Sequence, residues 1–176
     1  MKKLQLEELN RVSVEAYKKQ KKASFCILLD NVRSLHNVGA AFRTADAFRA
    51  EKLWLGGITG TPPHREINKT ALGATESVAW EHGASSLDIV QKLQSDGYTI
   101  ICIEQTDGSV LLNNFMPSKT DKYCFVFGNE VFGVEDPIID IADQWIEIPQ
   151  FGTKHSLNVS VTVGIVLWDF FAKCGI

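Results

Sequence analysis

Apolar residues along this chain fall into short unbroken runs separated by helix-spaced stripes. Leu6, Leu9, Val12 and Ala16 form a rough stripe, which predicts an N-terminal helix packed on the body of the protein. Residues 25–29 are continuously apolar and read as a buried strand that stops at Asp30-Asn31. Val38, Ala41, Phe42, Ala45 and Phe48 then recur at helical spacing, and 52–55 read as a second strand stopped by Gly56-Gly57. Residues 59–73 contain Gly60, Pro62 and Pro63 with little periodicity, so they read as a loop with room for one helical turn. Residues 76–80 look like a strand. Ser85 or Ser86 caps a helix to about Gln94, ended by Gly97. The runs 99–103, 123–127 and 144–148 are further strands, the last closed by Pro149.

The final segment admits two periodicities. Val159, Val161 and Val163 alternate with Ser160 and Thr162 as in a strand, whereas Leu157, Val161, Gly164, Ile165 and Trp168 fit a helical stripe. The run is too long for an ordinary strand, which decides for a helix beginning near Ser156. Short buried strands alternating with helices predict an α/β domain with a largely parallel sheet covered on both faces. Such a domain holds its ligand in loops at the carboxyl ends of the strands.

Composition narrows the class only a little. A chain of 176 residues, 45% hydrophobic and 22% charged, suits one well-buried domain. The N-terminus is charged without an apolar signal region, and the apolar run 159–172 contains Asp169 and is too short to span a bilayer. A soluble cytoplasmic protein with no membrane partner is expected. Cys26, Cys102, Cys124 and Cys174 show no metal-ligand spacing, and the first three sit inside strand-like runs, so they read as small buried hydrophobes. The net charge of −3 argues at first against a nucleic-acid partner, but residues 1–22 hold seven Lys/Arg against three Glu. Lys18, Lys19, Lys21 and Lys22 are either a solvated, favourably charged helix terminus or a phosphate-binding patch.

Three loops could carry chemistry. The first runs from Asn31 through Ser34 and Asn37 into the helix that bears Arg43; Asn37 or Ser34 could simply cap that helix. The second, Gly128-Asn129-Glu130-Val131-Phe132-Gly133, follows a buried strand; Gly128 lets the backbone approach a ligand, or the segment is an ordinary tight turn. No Lys-Ser/Thr follows Gly133, so it is not a phosphate loop. In the third, 148–160, Ser156 is a good N-cap, and Asn158 inside a first turn is less expected from propensity.

Asn37-x-Gly39-x-x-x-Arg43-Thr44-Ala45, Phe127-Gly128-Asn129-Glu130-x-x-Gly133 and Ile148-Pro149 followed by Ser156-Leu157-Asn158-Val159-Ser160 occur in this order. Together they resemble the three signature motifs of the SpoU-type RNA ribose methyltransferases of the SPOUT superfamily. Lys69-Thr70-Ala71-Leu72-Gly73-Ala74 resembles a further segment of that family, and the resemblance runs from about residue 25 to residue 172. It implies an α/β fold whose C-terminal part forms a trefoil knot, a topology that general rules would not propose. It also implies a homodimer that uses S-adenosylmethionine to methylate a ribose 2′-hydroxyl of tRNA or rRNA. The cysteine spacing gives no reason to expect a metal, and a compact chain without an added domain slightly favours tRNA.

By the same resemblance the cofactor lies against Glu104, Gly128, Ile148, Ser156 and Leu157. Asn37, Arg43, Glu130, Ser156 and Asn158 match the family's functional positions. Arg43 would activate or stabilise the 2′-oxygen, more readily as a charge than as a base because guanidinium stays protonated. Asn37, Ser156 and Asn158 would orient the ribose, and Glu130 would position Arg43. His64, Arg65 and Lys69 are candidate RNA contacts, with Arg33 and Arg49 weaker ones. Gln150 and Thr162 stand where the family often has Met and Ala. The expected division is a helical extension, 1–22, and a methyltransferase domain, 23–176, with no separate N-terminal RNA-binding domain. The competing reading is a catalytically silent RNA-binding or assembly protein of the same fold.

Overall fold

The computed structural model describes residues 1–9 and 11–175, apart from the side chains of Leu6 and Glu7. After a 3₁₀ turn at Leu6–Leu9 comes a short helix, α1 (Val14–Lys19), and then β1 (Phe25–Asp30), every residue of which is buried. The chain continues through α2 (Leu35–Ala47), β2 (Lys52–Gly56), α3 (Arg65–Ala71), α4 (Ala74–Ser77), β3 (Trp80–Gly83), α5 (Ser86–Ser95) and β4 (Tyr98–Ile103). It ends with β5 (Val110–Leu111), β6 (Lys122–Phe127), α6 (Asp136–Ile141), β7 (Gln144–Glu147) and α7 (Val159–Cys174).

The strands form one 7-stranded sheet in the order β3-β2-β1-β6-β4-β7-β5, and every pairing is parallel. Side chains alternate across the pleat, so each central strand feeds two cores. Phe25, Ile27 and Leu29 of β1 face Val38 and Phe42 of α2, Ile67 of α3, and Val163, Leu167 and Phe170 of α7. Cys26 and Leu28 face Ile89, Val90 and Leu93 of α5 and Ile138 of α6. This double coverage is why the central strands are unbroken apolar runs. Phe170 anchors α7 to the sheet, its ring 5.3 Å from those of Phe25 and Phe125 and 5.6 Å from that of Tyr123.

All four cysteines are free and buried. The Cys102 thiol is pushed up to about 12, first by burial and then by the charges of Asp30 and Glu104, so it behaves as a small inert hydrophobe.

The sheet and its two covered faces match the pattern of the sequence, and four elements correct it. The N-terminal stripe is not one packed helix: Val12 and Ala16 are exposed, Leu9 is 40% exposed, and the Leu6 side chain lies outside the described residues. Tyr17 docks this segment instead, buried, with its hydroxyl donating to Asp46 O at 3.1 Å.

Within 59–73, the helix α3 is longer than the single turn expected. It packs on α2 where a Cβ at Gly39 would come within 2.1 Å of Thr70 Oγ1 and 2.2 Å of Ile67 O, so only glycine fits there. Thr70 Oγ1 donates to His36 O at 2.9 Å across the same contact.

Residues 76–79 are not strand. Leu72 and Gly73 turn through left-handed backbone (φ 49° and 89°), α4 follows, and pairing begins only at Trp80. Lastly, α7 is capped by Asn158 rather than Ser156. Its buried face is Val159, Val163, Val166, Leu167 and Phe170, while Val161, Ile165 and Trp168 of the expected stripe point to solvent. Among the described residues no helix is long and apolar enough to cross a membrane.

Candidate active site

Three loops meet beyond the carboxyl ends of β1, β6 and β7, and side-chain hydrogen bonds tie them together. The Glu130 carboxylate accepts the N–H groups of Arg33 and Ser34 and the Asn37 side-chain amide, each at 3.1 Å. Asn37 Oδ1 in turn accepts from Asn158 Nδ2 at 3.2 Å. Asn158 Oδ1 caps α7, accepting from Ser160 N at 2.9 Å. One chain of bonds, Asn158 to Asn37 to Glu130, therefore joins residues 121 and 93 positions apart in sequence. Partial burial raises the Glu130 carboxyl, but donation by Arg33, its own backbone, Asn37 and Ser34 outweighs this and holds it below its usual range. Glu130 is ionised at neutral pH as a consequence.

The second loop is closed on itself. Asn129 and Gly133 exchange backbone hydrogen bonds at 2.8 and 2.9 Å, and Asn129 Oδ1 accepts from Val131 N at 2.8 Å. This closure requires glycine at 128: a Cβ there would come within 2.1 Å of Gly133 C and Val134 N. Glu104 braces the loop from β4, its carboxylate accepting from Val134 N at 3.1 Å and Gln105 N at 3.0 Å.

The second and third loops enclose a cavity of about 570 Å³. Ile103, Phe127, Ile146, Ile148, Leu157 and Val159 make its apolar lining, and Glu104, Gln105, Glu130, His155, Ser156 and Asn158 its polar one. The five sequence-predicted cofactor positions, Glu104, Gly128, Ile148, Ser156 and Leu157, all border this one cavity. The third loop is loosely held: residues 149–158 have no helix or strand, and Phe151 is 97% exposed.

Other expected residues stand apart. Arg43 is exposed on α2, does not border the cavity, and makes no ion pair among the described residues. Glu130 therefore does not position Arg43 within one chain; its carboxylate is spent on the start of α2. His64 caps α3 through Nδ1, which accepts from Glu66 N at 3.1 Å, and Arg65 is exposed beside it. Lys69 is paired with Glu66 at 2.7 Å, and the same carboxylate meets His36 Nε2 at 2.7 Å.

In the N-terminal cluster Lys18, Lys19 and Lys21 are exposed. Lys22 is not free for phosphate: its Nζ donates to Tyr17 O at 2.6 Å and lies 3.3 Å from the Tyr17 ring centroid. Burial lowers the Lys22 ammonium below its usual value, and burial, followed by the charge of Asp46, raises the Tyr17 hydroxyl to about 12. No cluster of metal-ligating side chains occurs among the described residues.

The sequence places Asn31 and Asn129 in the candidate loops with no role for either, and Asp30 only at the end of β1. Asn129 Nδ2 donates to Asn31 O at 2.7 Å and so fastens the second loop to the end of β1. The signal was an Asp-Asn pair closing a buried strand and a carboxamide between Gly128 and Glu130.

In a parallel α/β sheet, the cavity where carboxyl-end loops meet is the usual place for a small-molecule ligand. The chain belongs to the SpoU rRNA methylase family, whose sequence model matches residues 24–168. It is 34% identical over 166 residues to a tRNA (guanosine(18)-2′-O)-methyltransferase of Aquifex aeolicus, covering 92% of this chain and 74% of that protein. It is 31% identical over 141 residues to the 23S rRNA (guanosine-2′-O-)-methyltransferase RlmB of Neisseria meningitidis, covering 80% and 55%. The chain thus spans between about half and three quarters of these relatives' length.

Among solved structures, an Aquifex aeolicus TrmH/SpoU tRNA modifying enzyme superposes with TM-score 0.80 at 27% identity, over 91% of this chain and 80% of the other. An AdoMet-bound rRNA methyltransferase from Sinorhizobium meliloti gives 0.79 at 25% identity, over 89% and 59%.

Proposed function

We propose that this protein transfers the methyl group of S-adenosylmethionine to a ribose 2′-hydroxyl of RNA. The observation that carries the reading is the Asn158–Asn37–Glu130 chain of hydrogen bonds, which ties two residues of the cavity wall together through Asn37. The cavity suits the cofactor: its volume lies within the range of small-molecule sites, its lining combines apolar side chains with polar groups, and loop 149–158 leaves backbone groups outside regular structure. Gly128, Ile148, Ser156 and Leu157 would hold the cofactor, with Glu104 keeping the second loop in place. When bound, the cofactor supplies an electrophilic methyl group.

The chain's own residues do the rest. Asn37 and Asn158 hold the ribose in near-attack geometry, which accounts for much of the acceleration such sites reach. Ser156, exposed on the rim, adds a hydroxyl to the same side. Arg43 stabilises the 2′-oxygen as its proton leaves, a role that suits a guanidinium charged at all working pH values. Arg43 lies outside the cavity lining, so this role requires the ribose to reach from the cavity to the exposed face of α2.

The exposed stripe Val161, Ile165 and Trp168 (62% exposed), beside Phe48 and Phe171, supports a homodimer formed through α7 and α2. The insertion of β6 between β1 and β4, with α7 returning over α2, supports a C-terminal trefoil knot. Residues 23–176 form the methyltransferase domain, and the extension 1–22 offers Lys18, Lys19 and Lys21 to RNA phosphates, as His64, Arg65 and Lys69 do from α3. The substrate is a cytoplasmic RNA. The identity and coverage shared with the Aquifex tRNA enzyme favour tRNA.

The test is incubation with methyl-labelled S-adenosylmethionine and separate pools of undermethylated tRNA and rRNA, followed by mapping of alkali-resistant linkages. Label in such linkages is the expected result, with Arg43→Ala lowering kcat roughly 10²–10³-fold at unchanged cofactor affinity. Cofactor binding without label in either pool contradicts the proposal and favours a silent RNA binder. Undiminished transfer by Arg43→Ala contradicts the role given to that residue.

A further inference from the structure

The Asn129–Gly133 loop has two sides. One borders the cavity described above; the other borders a second, open cleft of about 910 Å³, and Asn129, Phe132 and Gly133 line both. The floor of this second cleft is fixed by the protein's own bonds. Asp30 is fully buried, and its carboxylate accepts from Glu135 N at 3.0 Å and Asn31 Nδ2 at 2.9 Å. Asn31 Nδ2 also donates to Glu135 Oε1 at 2.8 Å, while Asn31 Oδ1 accepts from Ile58 N at 3.0 Å. Glu135 is thereby held through its backbone and through one carboxylate oxygen. Its Oε2 has no partner among the described residues.

Around this carboxylate stand Phe132, 84% exposed, Ile58, 68% exposed, and Arg33. Unpaired RNA bases are held by stacking on such aromatic faces and by hydrogen bonds to their Watson–Crick edges. Glu135 and Asp136 outnumber Arg33 around the cleft, which disfavours a phosphate, so a base edge enters rather than the backbone. A carboxylate accepts only, and its remaining lone pairs match two adjacent donors. Guanine alone among the four bases presents two adjacent donors, N1–H and the N2 amine, on that edge. Adenine and cytosine present one donor beside an acceptor, and uracil one donor between two acceptors.

We propose that this cleft binds a guanine base of the RNA, stacked on Phe132 and hydrogen-bonded through N1–H and N2–H to Glu135. The proposal rests on the RNA reading of the neighbouring cavity and adds to it a base-specificity site on the other side of the same loop.

The test uses the full chain, isotope-labelled and saturated with S-adenosylhomocysteine so that the first cavity is filled. GMP, IMP, AMP and CMP are titrated while amide resonances are followed by NMR. GMP is expected to shift Ile58, Gly133 and Glu135 and to bind about tenfold more tightly than IMP, which lacks the N2 amine. Glu135→Gln should bring GMP and IMP to equal affinity with S-adenosylhomocysteine binding unchanged, which also certifies the fold. Phe132→Ala should weaken all four nucleotides alike.

Equal binding of GMP and IMP by the unaltered protein overturns the proposal, as does a GMP preference that survives in Glu135→Gln. Failure of every nucleotide to bind the cofactor-filled protein, as when a second copy covers the cleft, overturns it too. Those results leave methyl transfer standing. Failure of S-adenosylhomocysteine itself to bind would instead count against the methyltransferase reading.

Discussion

The two loops that enclose the cavity are built in opposite ways. Loop 128–133 is closed by a backbone bridge, by the Asn129 side chain and by Glu104, and it is fastened to β1 through Asn31. Loop 149–158 has no regular structure; Gln105 Nε2 holds it by donating to His155 O at 3.2 Å, and Asn158 ends it as the cap of α7. Their glycines differ in the same sense. A Cβ on Gly128 would strike backbone 2.1 Å away, whereas one on Gly152 would meet open space. The contrast predicts a division of labour in which the first loop keeps its geometry and the second becomes ordered on binding a ligand.

Substitutions separate these roles, and the largest effect is expected on the rigid side. Gly128→Ala cannot be absorbed without moving backbone at Gly133, so methyl transfer should fall on the order of 10²-fold. Stability should fall by about 1–3 kcal/mol, read from urea melts. Normal activity in this variant would mean that the loop is far more pliable than its bonds indicate.

Asn158→Ala comes next, because it removes both the cap of α7 and the link to Asn37. A loss of about 1 kcal/mol is expected, with transfer reduced roughly tenfold. Ser156→Ala should stay within about 0.5 kcal/mol of the parent, since that residue does not cap the helix.

Acid should act through Glu130. Its folded-state pKa is depressed, so the stability it lends is complete above the unfolded value of about 4.3 and is lost as pH falls through the lower folded value. A carbon-detected NMR titration should place the Glu130 midpoint below that of an exposed glutamate. A midpoint at or above it would show that the donors from Arg33, Ser34 and Asn37 do not form in solution. The smallest change is expected on the loose side: Gly152→Ala, outside left-handed backbone, should be neutral or stabilise by about 0.4–1 kcal/mol in thermal melts.

The same contrast explains what could be read from the sequence. The central strands were legible because a strand buried on both faces has to be apolar throughout, as Phe25 to Leu29 is. The edge strand β3 was not, because Glu81 and His82 face solvent and the apolar alternation lies upstream, in the turn around Ser77. Helix α6 was hidden by its six residues, too few to show a period. At the site, Ser156 and Asn158 are both good caps by type, and nothing local chooses between them. The choice is made by Asn37, 121 residues away, which takes the Asn158 side-chain amide. Arg43 and Glu130 were legible as members of the motifs, but not their separation, because the pairing of Glu130 with the start of α2 is a tertiary fact. Asp30, Asn31 and Asn129 carry no periodic signal at all; they matter through bonds made only once β1 and β6 lie side by side.

Amide hydrogen exchange with and without saturating S-adenosylmethionine tests the cavity and the unlike character of its two loops in one measurement. Without ligand, amides of 129–133 should already exchange slowly and those of 150–157 quickly. On binding, strong new protection should concentrate in 150–157, with little further change in 129–133. Saturation that protects neither loop would contradict this site for the cofactor, and equal protection gained by both would contradict the rigid and ordering roles assigned to them.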